Sequence, residues 1–136
     1  MAKKPVKKRR ITIRSGKNKG KKFQNQLAER FSYISGIAWG QDEDIESRQM
    51  GMAGTDLIFR GVARKLFPYS IEAKNCETWH YPKWVDQAKK NLAKDTDWLL
   101  FVTKNRYDKL VTMDADLFFK LLKDQIELKN LKKDKE

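Results

Sequence analysis

The chain has one cysteine, Cys76, and one histidine, His80, in 136 residues. A single thiol builds no disulfide framework, and neither residue has the second Cys or His that a zinc site needs. Cys76 reads as a small buried residue and His80 as a surface histidine. A reducing, intracellular setting is expected, with the cytoplasm as the compartment. No stretch approaches the roughly 18 apolar residues of a membrane span. No signal-peptide apolar segment follows the basic start. The length corresponds to one domain with one core.

Acid is missing from one end. Residues 1 to 22 contain eleven Lys or Arg and no Asp or Glu, which accounts for nearly all of the net charge of +12. The remaining 19 basic residues face 18 acids, so the body is close to neutral. A segment so basic and so poor in large apolar groups cannot offset its ordering entropy by burial, and a mobile tail over 1–20 is expected. Its natural partner is a polyanion, because each neutralised phosphate releases counterions. Lys7, Lys8, Arg9, Arg10, Arg14, Lys17, Lys19, Lys21 and Lys22 are the candidate DNA-binding residues.

Periodicity organises the rest. Phe23, Leu27, Phe31 and Ile34 form one apolar stripe, predicting a helix from Lys21 to about Ser35 that ends at Gly36. An irregular edge strand is expected around Ile45–Gln49, then strands near Thr55–Arg60 and Tyr69–Lys74 joined by a basic connection. Pro82 suits the first turn of a helix over Tyr81–Lys94, with Trp84, Val85, Ala88 and Leu92 on its core side. The continuous apolar run Trp98–Thr103 marks a central strand covered on both faces. A short strand over Leu110–Met113 and a helix capped by Asp114 or Asp116 follow. The folded unit is expected over 21–128, with a polar, frayed tail over 129–136. The class is α/β, a mixed central sheet flanked by helices.

Chemistry concentrates between Gly54 and Asn75. Ser70, Glu72 and Lys74 share one face of a strand and Tyr69, Ile71 and Ala73 the other. The second face is apolar, whereas the first carries groups that are costly to bury unless paired or metal-bound. Asp56, at the start of the neighbouring strand, meets Glu72 and Lys74 across the sheet. Two carboxylates beside an ammonium make a hard-oxygen metal site equipped for phosphodiester hydrolysis. The competing reading is an ordinary Glu72–Lys74 surface pair.

Asp56, fifteen intervening residues, then Glu72-Ala73-Lys74 resembles the PD-(D/E)XK nuclease superfamily, with its restriction-endonuclease-like core. Ser47-Arg48-Gln49-Met50-Gly51, Gly54-Thr55-Asp56, the run Phe67 to Asn75 and Gln87-Ala88 are similar to phage-encoded Holliday-junction resolvases of that superfamily. The resemblance implies that Asp56, Glu72 and the carbonyl of Ala73 hold Mg²⁺, with Mn²⁺ as a substitute, and that Lys74 orients or deprotonates the attacking water. It also implies that Glu29 completes the site from the first helix, although Gln24 stands where several relatives carry Glu. Gln87 is expected to point at the site, and Ser47 and Arg48 to contact phosphate. A phage origin would put the protein in the host cytoplasm.

The function so implied is a Mg²⁺-dependent endonuclease on branched DNA. The alternatives are a nicking, repair or restriction-type nuclease on duplex, a DNA-binding protein without catalysis, and a ribosome-associated basic protein. A four-way junction must be cut at two symmetry-related strands, so a homodimer is expected, through the last helix or the Trp39 region. Asp42, Glu43, Asp44 and Glu46 read as a solvated loop. Trp79, Tyr81 and Trp84 are weighed between base stacking and core, with Trp84 assigned to core.

Overall fold

The computed structural model describes residues 13–135. Lys7, Lys8, Arg9 and Arg10 lie outside the described residues. Helix α1 (Ile13–Ser35) is followed by strands β1 (Ile45–Ser47) and β2 (Leu57–Phe59) and by helix α2 (Gly61–Leu66). Then come β3 (Tyr69–Asn75), α3 (Tyr81–Lys90), β4 (Asp97–Thr103), β5 (Leu110–Thr112) and α4 (Ala115–Asp134). The class is mixed α/β, as expected.

β3, β4 and β5 form a mixed sheet in that order, β3 parallel to β4 and β5 antiparallel. The parallel pair needs a crossover, and α3 supplies it. β4 is central, and its uninterrupted apolar run has a physical cause on each side. Leu99 and Phe101 pack with Ile71, Phe23 and Leu27 of the α1 layer. Leu100 and Val102 pack beneath Trp84 of α3, confirming that indole as core. Burying side chains such as Phe23, Leu27 and Leu100 contributes about 1.5–3 kcal/mol each.

β1 and β2 form a second, antiparallel pair. It meets the main sheet where the Asp56 amide donates to the Ile71 carbonyl at 2.8 Å. Phe31 ties the two sheets together, edge-on to Phe59 at 5.2 Å, Phe67 at 4.9 Å and Phe101 at 6.2 Å.

Several boundaries differ from expectation. α1 already runs at Ile13, inside the stretch read as tail. The reason is tertiary, because Lys19 pairs with Glu77 at 2.7 Å and anchors this turn to the end of β3. At the other end Gly36, at φ 74°, stops the helix, but Ile34 is 70% exposed. It borders a shallow apolar groove with Leu110 and Val111 instead of joining the core. The basic connection contains α2, whose Ala63 is buried. α3 ends at Lys90, leaving Leu92 exposed. The Asp114 carboxylate caps α4 by accepting from the Asp116 amide at 2.9 Å, and α4 remains helical to Asp134, through most of the expected frayed end.

Candidate active site

Asp56 sits just before β2, where the two sheets meet. Its carbonyl accepts from the Arg48 amide at 2.8 Å and from Gln24 Nε2 at 3.0 Å. Its carboxylate Oδ2 accepts the Ala73 amide at 2.7 Å. In an extended strand the N–H and C=O of one residue point to the same side. The Ala73 carbonyl therefore faces the same edge of β3 as Asp56, away from β4.

Glu72 is buried, one residue back on the opposite face of the pleat. Asn91, at the end of α3, donates Nδ2 to its Oε1 at 2.8 Å. Asp56 and Glu72 are close enough for each carboxyl group to affect the other's ionisation. Burial raises both from their ordinary values. For Asp56 the Ala73 amide and the charges of Lys74 and Arg48 oppose the rise. For Glu72 burial and then the Asp56 charge push the pKa up to about 7, against the pull of Asn91 and Lys74. Two acids confined together cannot both ionise cheaply without a cation. Lys74, half-buried two residues along β3, favours ionisation of both but forms no ion pair among the described residues.

An open cleft of about 360 Å³ gives access to the pair, walled by Gln24, Gln87, Asn91 and the loop from Gln49 to Gly54. The loop is held open by Arg48, whose Nε donates to the Thr55 carbonyl at 2.5 Å. Gly54, at φ 112°, lies against that guanidinium, and a Cβ there would stand 3.0 Å from it. Only glycine meets both conditions easily.

The structure thus brings together Asp56, Glu72, Ala73, Lys74 and Gln87. It does not bring Glu29, which is exposed and borders a separate cleft with Lys22 and Gln26. Gln24 is the α1 residue at the site, and a step of five residues turns Glu29 about 140° around the helix. Gln24 is buried, with Nε2 also reaching the Arg48 carbonyl at 3.1 Å. The sequence reading missed Asn91, four residues after Gln87 and therefore on the same helical face.

The candidate DNA contacts divide. Arg14, Lys17 and Lys22 are exposed on α1. Lys19 is held by Glu77. Lys21 turns inward, donating to the Ser47 carbonyl and hydroxyl at 3.1 and 3.0 Å and to the Arg48 carbonyl at 3.0 Å. Burial lowers its pKa, against the charges of Glu46 and Asp56. Ser47 and Arg48 take part in building the loop, the Arg48 side chain through its Nε.

Cys76 is exposed, not buried. His80 is exposed at the N-cap of α3, edge-on to Trp84 at 6.0 Å. Trp79 and Tyr107 share the Lys104 ammonium, 5.1 and 4.6 Å from their ring centres. Glu46 is held by the Asp42 amide and Arg60, which lower its pKa. Among the described residues no three or more His, Cys, Asp or Glu side chains cluster to hold a metal, so any cation here would rest on two carboxylates and main-chain oxygen. No protein-family model, curated protein or solved structure matches the chain.

Proposed function

We propose that this protein is a metal-dependent endodeoxyribonuclease of PD-(D/E)XK type with a restriction-endonuclease-like core, acting as a homodimer on branched DNA such as a four-way junction. The observation that carries the reading is that Asp56 and Glu72 line one open cleft, with the Ala73 amide on Asp56 and the Lys74 charge acting on both carboxylates. The order helix, two strands, short helix, strand, helix, strand, with α3 crossing between parallel β3 and β4, supports the same reading.

The residues present fit Mg²⁺. It requires only one or two carboxylates and keeps water and substrate phosphate in its shell. Asp56, Glu72 and the Ala73 carbonyl oxygen would hold it, and Mn²⁺ would substitute. Bound there, the ion would neutralise charge on the phosphoryl group and make water a better nucleophile.

The chain's own residues do the rest. Asn91 fixes the Glu72 carboxylate in one orientation. Lys74 orients the attacking water, assists loss of its proton and offsets charge accumulating on phosphorus. Gln87 lines the cleft and would meet the scissile phosphate there. The water oxygen bonds to phosphorus as one P–O ester bond breaks, giving a phosphate monoester and a hydroxyl. Arg14, Lys17, Lys22 and the remaining basic residues of the N-terminal stretch hold the phosphate backbone without reading sequence.

Branched DNA needs two sites, and α4 favours a second copy. Of its twenty residues only Leu117 is buried. Phe118, Phe119, Leu122, Ile126, Leu128 and Leu131 are exposed, more apolar surface than an isolated helix should present to water.

The metal tests the proposal. Cleavage should occur with Mg²⁺ or Mn²⁺ and stop in EDTA, and Ca²⁺ should support DNA binding with little cleavage. Undiminished cleavage in EDTA would overturn it.

A further inference from the structure

A second cleft of about 580 Å³ adjoins the catalytic one and shares Gln49 and Met52 with it. We infer that it is a pocket for an unpaired nucleobase of the bound strand, with Trp39 as its stacking surface and the amides of Asn25, Gln41 and Gln49 as its hydrogen-bonding edge. The inference takes only the identity of the polymer from the nuclease reading.

Trp39 is presented, not packed away. It is 37% exposed, yet its backbone is fixed by a bridge to Ile45, reinforced by the Gly40 amide donating to the Ile45 carbonyl at 3.0 Å. The next turn is held by the Asp42 amide on Glu46 Oε2 at 2.6 Å, with Asp42 itself at φ 63°. Among the described residues the amide side chains of Asn25, Gln41 and Gln49 make no hydrogen bond. Three open amides lining one cleft with an indole combine stacking with paired donors and acceptors, the chemistry by which unpaired bases are held.

A phosphate would fit poorly. The three donors of Lys21 are spent on Ser47 and Arg48, and Arg48 Nε is spent on Thr55. Asp42 and Glu46 in the same wall offset the charges of Lys21 and Arg48. The backbone has a separate path, because Trp39 also borders the cleft that contains exposed Lys22. Stacking on Trp39 would hold a base out of its duplex beside Asp56 and Glu72, which selects for branched or flapped strands.

The test uses full-length Asp56→Asn protein with Ca²⁺ and an oligonucleotide carrying 2-aminopurine at an unpaired position, beside the same sequence fully paired. The unpaired probe should be quenched on binding. Trp39→Ala should abolish the quench and weaken binding of the unpaired strand about tenfold, with less than twofold change for duplex. Trp39→Phe should restore most of both, which separates stacking from misfolding. Gln49→Ala should weaken the unpaired strand alone.

Equal losses for paired and unpaired DNA would overturn the inference. So would a quench that survives Trp39→Ala, or a Trp39→Ala protein whose sedimentation shows that it has lost its dimer. Cleavage of the wild type with Mg²⁺ is measured in parallel. The nuclease reading fails if cleavage is absent, whereas the pocket fails on the probe alone.

Discussion

At the scale of single residues, the decisive feature is where two carboxyl protons sit. The folded protein raises the Glu72 pKa from 4.5 to about 7, whereas the unfolded chain leaves it at the ordinary value. The folded state therefore binds this proton more tightly. Its stabilising contribution is fully present below the unfolded pKa and is lost as pH rises through the folded one. Metal-free protein should lose on the order of 1–3 kcal/mol between about pH 5 and 7.5, read as a falling melting temperature. Glu72→Gln should flatten that slope while still accepting from Asn91. At about pH 8, Mg²⁺ should raise the melting temperature of the wild type and leave that of the variant unmoved. A difference between wild type and variant that does not change with pH would contradict the burial argument.

Asp56, Glu72 and Lys74 were legible in the sequence because a period of two placed ionisable groups opposite an apolar face. Asn91 was not, because an amide near a helix end looks the same whether it bonds a buried carboxylate or water, and Gln24 stood out only as a departure from the family's Glu. Glu29 misled for the complementary reason. A carboxylate near an apolar stripe signals a site only when the angle around the helix is right.

At the scale of elements, long periodic segments were readable and short ones were not. β4 announced itself by an unbroken apolar run, and α1 by Phe23, Leu27 and Phe31. α2 has six residues, too few for a period to show, and forms because Ala63 packs into the core. The start of α1 was hidden by its own composition, since local charge argued for a tail and the distant Glu77 decided otherwise.

α4 is the element whose sequence and surroundings disagree most. Its apolar side chains occupy more than one side of the helix, but the body receives only Leu117. On the proposed function, a second copy would cover them. Sedimentation at micromolar concentration should give a dimer, and Phe119→Glu with Ile126→Glu should give a folded monomer. A wild-type monomer both with and without four-way junction would remove α4 as an interface.

At the scale of the whole molecule, charge and chemistry are segregated. The strongly basic N-terminal stretch precedes a nearly neutral body, and Arg14, Lys17 and Lys22 of that stretch are exposed on α1. On the proposed function, electrostatics would bring DNA to the protein, and two carboxylates and one lysine would cut it. The most direct measurement is cleavage of a four-way junction, beside its separate linear arms, by wild type, Asp56→Asn, Glu72→Gln and Lys74→Ala with Mg²⁺. The account predicts paired, symmetry-related cuts in the junction by wild type, with little cutting of the arms. All three variants should lose at least about a hundredfold in rate while still binding the junction. Wild-type-like turnover by purified Asp56→Asn would contradict it.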